Sequence, residues 1–165
     1  MWCVLVDFRK CNVNNQTIKE TVQLWLEYVK ARQALLTEGI VRSFKSPEAD
    51  FAEQLIASIF KGVLPSNKSN PAYDVIAGDK RIQVKSVAKT FDNKNGYIIK
   101  EKDRNNNPEI GATHYAFVFF NELIPTGIFL VPESFVREFH KTQIKRSDLE
   151  KSDCKVAVDL SVFNM

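Results

Sequence analysis

The period of the apolar positions switches from helical to alternating about midway along the chain. From Thr17 to Glu38, Ile18, Val22, Trp25, Leu26, Val29, Leu35 and Leu36 recur at roughly helical intervals, and Gly39 follows as a stop. The spacing predicts a long amphipathic helix whose wide apolar surface suits either the domain core or a dimer interface. A second helical stretch, "SPEADFAEQLIASIFKG", has stronger end signals. Ser46 can cap it, Pro47 suits the first turn, Glu48 and Asp50 favour the positive N-terminal end, and Gly62 ends it. Its buried stripe is Phe51, Leu55, Ile56, Ile59 and Phe60, and Glu53 lies beside that stripe at the boundary of core and surface.

The period then falls to two, with strands over Tyr73 to Ala77 and Lys80 to Val87. Gly78-Asp79 between them is a two-residue hairpin signal, so Ala77 opposes Lys80 and, counting outward, Asp74 opposes Gln83. One face then carries Asp74, Ile76, Arg81, Gln83 and Lys85; the other carries Tyr73, Val75, Ala77, Ile82, Val84 and Ser86, mostly apolar. A polar, Asn-rich connection runs on to Gly111 with "GYII" as a short strand inside it, a length typical of functional or mobile loops. "HYAFVFF" and "GIFLV" read as buried strands joined by a turn containing Asn121 and Pro125. "PESFVREFH" reads as a helix started by Pro132, and Lys155 to Val162 as an edge strand.

At 165 residues the pattern fits one α/β (α+β) domain: a central mixed β-sheet flanked by helices, preceded by a helical extension over 1–45 and followed by an extension over 141–165. With 44% hydrophobic and 26% charged residues the chain lies far from the disordered regime. The net charge of +3 permits a polyanionic partner without requiring one. Its distribution says more, because Lys80, Arg81, Lys85, Lys89, Lys94, Lys100, Lys102 and Arg104 face only Asp92, Glu101 and Asp103 in the same stretch. Cys3, Cys11 and Cys154 form an odd set without metal spacing, which suggests a reducing cytoplasm. The N-terminal "MWCVLVDFRK" lacks a basic leader and the length to span a bilayer, so no membrane partner is expected. His114 and His140 are isolated, which gives little support to a nucleophile built on histidine.

The chemistry therefore falls to carboxylates and lysine. A hard divalent cation such as Mg²⁺ takes a few oxygen ligands and bridges a carboxylate to a substrate phosphate. Asp74 supplies a charged oxygen, Gln83 a neutral one, and the Val84 backbone carbonyl a third. Lys85 can polarise an attacking water or neutralise charge developing on phosphorus. The plain alternative is a hairpin with one wet face and a weak Asp74–Lys85 surface pair.

Glu53 on a helix, Asp74 at a strand start and Gln83-Val84-Lys85 on the next strand resemble the PD-(D/E)xK nuclease superfamily across Ser46 to His140. Tyr73 stands where the motif has Pro, and Gln83 where it usually has an acid, which makes Glu53 more important. Glu48 is the competing helix acid, but it suits the helix N-terminus better. The resemblance implies a restriction-endonuclease-like core over 46–140: a helix, a three-stranded antiparallel meander, a helix and a further strand. It also implies Mg²⁺-dependent hydrolysis of double-stranded DNA, with Mn²⁺ as a substitute, at Glu53, Asp74, Gln83 and Lys85. A small type II restriction enzyme acting as a homodimer fits best. Lys89, Asn93, Lys94, Lys100, Lys102, Arg104 and Asn105 are then the candidate DNA contacts. A Holliday-junction resolvase, a homing-type endonuclease and an inactive DNA-binding relative share the same motif.

Overall fold

The structure, a computed structural model, describes residues 15–42, 47–66, 72–89, 96–121 and 123–152. The chain divides into two compact units, Met1–Val41 and Arg42–Met165.

The first unit contains α1 (Asn15–Thr37). Gly39, at φ 68°, ends it in the left-handed conformation, and the Ile40 N–H reaches back to the Leu35 carbonyl at 3.0 Å. Val22, Leu24, Trp25 and Leu26 are exposed, and the Trp25 and Tyr28 rings pack with centroids 5.3 Å apart.

The second unit begins its regular structure with α2 (Pro47–Ile59); the expected cap, Ser46, lies outside the described residues. The stop is built differently from the expectation. Lys61, not Gly62, takes the left-handed conformation at φ 51°, while the Gly62 N–H closes the end on the Ala57 carbonyl at 2.8 Å. Gly62 is needed for space, since a Cβ there would lie 2.6 Å from the Ile76 carbonyl oxygen.

The hairpin is β1 (Val75–Ala77) and β2 (Lys80–Lys89), paired Val75–Ile82, Ile76–Arg81 and Ala77–Lys80 in the expected register. Gly78 alone of the two turn residues has positive φ, at 61°, as a II′ turn requires. β2 then pairs in parallel with β4 (His114–Asn121), which pairs antiparallel with β5 (Ile124–Pro132). The result is a mixed four-stranded sheet ordered β1-β2-β4-β5. On the outer side of β1, Val63 makes one antiparallel bridge to Ile76. The implied antiparallel meander is thus two strands and a single bridge. Pro125 lies inside β5, opposite Phe120 at a bulge, rather than in the turn; a bulge tolerates its missing N–H.

The connection from β2 to β4 is not a plain loop. It contains β3 (Gly96–Ile98) and a one-turn helix, α3 (Glu101–Arg104). Beyond β5 come α4 (Glu133–Glu138), β6 (Gln143–Lys145), which pairs with β3, and α5 (Arg146–Glu150). Lys155 to Val162, expected as an edge strand, lies outside the described residues.

Period-two alternation sends the strands' side chains to two cores. Ala52 and Ile56 of α2 close on Val75, Ile82, Val84, Val118 and Ile128. The other core joins Val87, Tyr115, Phe117 and Phe129 to Ile99, Val136, Ile144 and Leu149. Tyr73, assigned by simple alternation to the first face, packs against the second core because regular pairing begins only at Val75. Among the described residues, no helix is long and apolar enough to cross a membrane.

Candidate active site

Asp74 sits one residue before β1, and its N–H continues the hairpin by donating to the Ile82 carbonyl at 2.9 Å. Along β2, Ile82 offers its carbonyl to that edge while Arg81 offers its own to Thr113 on the other side. The alternation turns both backbone groups of Val84 to the Asp74 edge. The Val84 N–H donates to Asp74 Oδ2 at 2.7 Å. The ladder stops at Val75–Ile82, so by the same alternation the Val84 carbonyl lies past its end on that edge.

Gln83 donates its amide nitrogen to the same Asp74 oxygen. Here it supports the carboxylate, whereas a metal ligand would present its oxygen; a half-turn of the amide exchanges the two atoms. Burial pushes the Asp74 carboxyl above its usual range, against the pull of the Val84 N–H, Lys85, Arg42 and Lys102.

Glu53 enters from α2. Burial first, and then the negative charge of Asp74, push its pKa up, with Arg42 opposing them. Two partly buried carboxylates thus share one field. The Asp74 charge reaches Glu53 on α2, one of the two acids the sequence offered on that helix. Arg42 pairs with Glu53 through Nη2, and its backbone N–H donates to Asp50 at 2.8 Å. Arg42 Nε is buried without a hydrogen-bond partner. Nothing in the spacing marked Arg42, since it lies before the capped helix in a stretch with no periodic signal.

Lys85, two positions beyond Gln83 on β2, lies on the side of the second core. Its ammonium lies 3.3 Å from Asp103 Oδ1, with the Tyr97 and Tyr115 ring centroids at 5.2 and 5.8 Å. Burial lowers its pKa; Asp103 opposes that and Lys102 reinforces it. Burial and Asp103 raise both phenols, Tyr97 and Tyr115. Asp103 and Tyr97 were hidden in what looked like a basic loop. The available signal was an acid three residues into a helical turn, where it can accept the N-cap N–H.

The candidate DNA contacts separate. Lys100 and Lys102 are exposed on α3 or at its start, and the charge of Lys102 reaches Asp74 and Lys85. Asn105 is exposed at the α3 C-terminus. The Arg104 guanidinium donates to the Phe139 and Lys141 carbonyls at 2.9 and 2.7 Å. Lys89 is the last residue of β2 and only its backbone is described; Asn93 and Lys94 lie outside the described residues. Arg81, from the polar hairpin face, holds the Pro108–Gly111 segment through the Gly111 carbonyl at 2.7 Å.

Among the described residues, no three His, Cys, Asp or Glu side chains form a metal-holding group. The oxygen set on this edge is Asp74, Glu53, the Gln83 amide and the Val84 carbonyl. No protein-family model and no curated protein sequence matches the chain.

Proposed function

We propose that the chain is a Mg²⁺-dependent DNA endonuclease of the PD-(D/E)xK class. The observation that carries this reading is the meeting of Glu53 from α2 with Asp74 at the β1–β2 hairpin, where the Val84 N–H binds the Asp74 carboxylate and Lys85 follows one residue further along β2. Topology supports it: α2, the Val63 bridge, β1, β2, α3 and the parallel strand β4 follow the order of a restriction-endonuclease-like core.

The donor set fits a hard divalent cation. Two carboxylates whose pKa values are raised by burial, one of them also by the other's charge, gain from a shared cation, and a backbone carbonyl adds a neutral oxygen. Asp74, Glu53 and the Val84 carbonyl would hold it, with Gln83 contributing its oxygen after an amide turn. Such an ion supplies charge stabilisation at the phosphate and a more acidic water.

The chain's own residues do the rest. The Val84 N–H fixes the Asp74 carboxylate in one orientation. Lys85 offers an ammonium to the attacking water or to charge developing on phosphorus. Lys100 and Lys102 attract the DNA backbone. Hydrolysis then leaves a 5′-phosphate and a 3′-hydroxyl.

A small restriction enzyme working as a homodimer in the cytoplasm is the form we favour, with the exposed apolar residues of α1 available to a second copy. Incubation of covalently closed plasmid with the protein and Mg²⁺ tests it. Discrete linear fragments are expected. Cleavage confined to four-way junctions would replace restriction by junction resolution, and no cleavage of any DNA in Mg²⁺ or Mn²⁺ would refute nuclease activity.

A further inference from the structure

A buried lysine near two carboxylates has a choice of partner. Lys85 lies on the strand that also supports Asp74, and its flexible stem gives the ammonium wide reach. It pairs with Asp103, at 3.3 Å, and not with Asp74. Asp103 is 2% exposed and comes from α3, in the segment between β2 and β4. Its second oxygen accepts the Tyr97 hydroxyl at 2.5 Å and the Lys100 N–H at 3.1 Å. Tyr97 is itself held in β3, and its ring packs 5.7 Å from that of Phe117.

A carboxylate with donors on both oxygens cannot turn without breaking several charge-assisted contacts. The Tyr97 and Tyr115 rings leave the Lys85 ammonium little room to move. An ammonium paired directly with Asp74 would occupy the oxygen charge that a divalent cation needs, and would itself be withdrawn from substrate.

We propose that Asp103 is a positioning residue: it holds the Lys85 ammonium away from Asp74, so that the acid pair stays open to a cation and Lys85 stays directed at substrate. The β3–α3 segment is then a working part of the active site and not merely a surface for DNA. The catalytic half of this proposal rests on the nuclease reading; the placement of Lys85 is testable without it.

The experiment combines ¹⁵N NMR of the Lys85 ammonium with single-turnover DNA cleavage, in the full-length wild type, Asp103→Asn and Tyr97→Phe. Asparagine keeps the shape and an acceptor for Lys100 while removing the charge. In Asp103→Asn the ordered Lys85 ammonium signal is expected to disappear, and the single-turnover rate to fall about 10–100-fold, as for loss of other outer-shell partners. DNA affinity in Ca²⁺ stays unchanged, which general damage to the fold would not allow.

Tyr97→Phe, which keeps the ring, gives the same pattern with a smaller loss and decides the matter if Asp103→Asn does not fold. An unaltered Lys85 signal in the variants overturns the proposal whatever happens to cleavage. A lost signal with cleavage at the wild-type rate overturns the catalytic half. A wild type that cuts no DNA overturns the nuclease reading, and with it the catalytic half, while the NMR comparison still decides the placement.

Discussion

On the α2 side of the sheet, Ile56, Val75, Ile82 and Val118 pack carbon against carbon with almost no exposure. On the other side, the core around Phe117 and Phe129 is joined by Lys85, Asp103 and two tyrosines, Tyr97 and Tyr115. One strand serves both. Ile82 and Val84 of β2 point to the first core, while Lys85, from the opposite set of positions, carries chemistry. A strand's two-residue period therefore lets one segment pack a core with one set of side chains and carry a charged residue on the other.

Mutations should separate the two sides. The largest effect is expected at the acids: Asp74→Ala lowers Mg²⁺-dependent cleavage at least about a thousandfold, the scale of losing a central electrostatic group. The check is a single-turnover assay with folding followed by circular dichroism. Next is Ile56→Ala on the apolar side, where Ile56 is 0% exposed. It should cost about 2–5 kcal/mol in a urea titration, while the folded fraction cuts at the wild-type rate. Equal losses of activity per folded molecule on both sides would erase the distinction.

Neutralising Asp74 sharpens the comparison through pH. Its folded-state pKa is raised by burial, so the folded chain holds a proton over a range in which the unfolded chain has released it. Stability is therefore lost as pH rises through that range, above the ordinary value of 3.8. Asp74→Asn has no such loss. Without divalent cation its melting temperature should exceed that of wild type at pH 7, with the gap shrinking toward pH 4. Added Ca²⁺ should raise the wild-type value and leave the variant unmoved.

The smallest effects concern two neighbours on α3. Lys102→Ala should reduce the salt dependence of DNA binding by about one unit of slope. Arg104→Ala should leave that slope intact and instead lower stability by about 1–3 kcal/mol, because its guanidinium holds the Phe139 and Lys141 carbonyls. Fluorescence titrations across a salt series distinguish them.

The hairpin register was legible because a turn of two residues leaves no freedom in the count outward from Gly78-Asp79. The helix carrying Glu53 was legible from Pro47, which begins it, and from its apolar stripe. The parallel pairing of β2 with β4 was not, since "HYAFVFF" is apolar on both faces and an unbroken apolar run does not reveal its neighbour or direction. Pro125 misled because its missing N–H is tolerated at a bulge that only the pairing reveals. Asp103 escaped because four residues, Glu101 to Arg104, are too few to show a helical period, and their alternating charges resemble a solvated loop. Arg42 could be found only once α2 had brought Glu53 to it.

The most direct test is single-turnover cleavage of one double-stranded DNA by wild type and Lys85→Met, in Mg²⁺, with binding of the same DNA measured in Ca²⁺. Mg²⁺-dependent cutting by wild type, its loss in Lys85→Met and equal binding by both are the predicted results. Cutting by Lys85→Met at the wild-type rate would contradict the account.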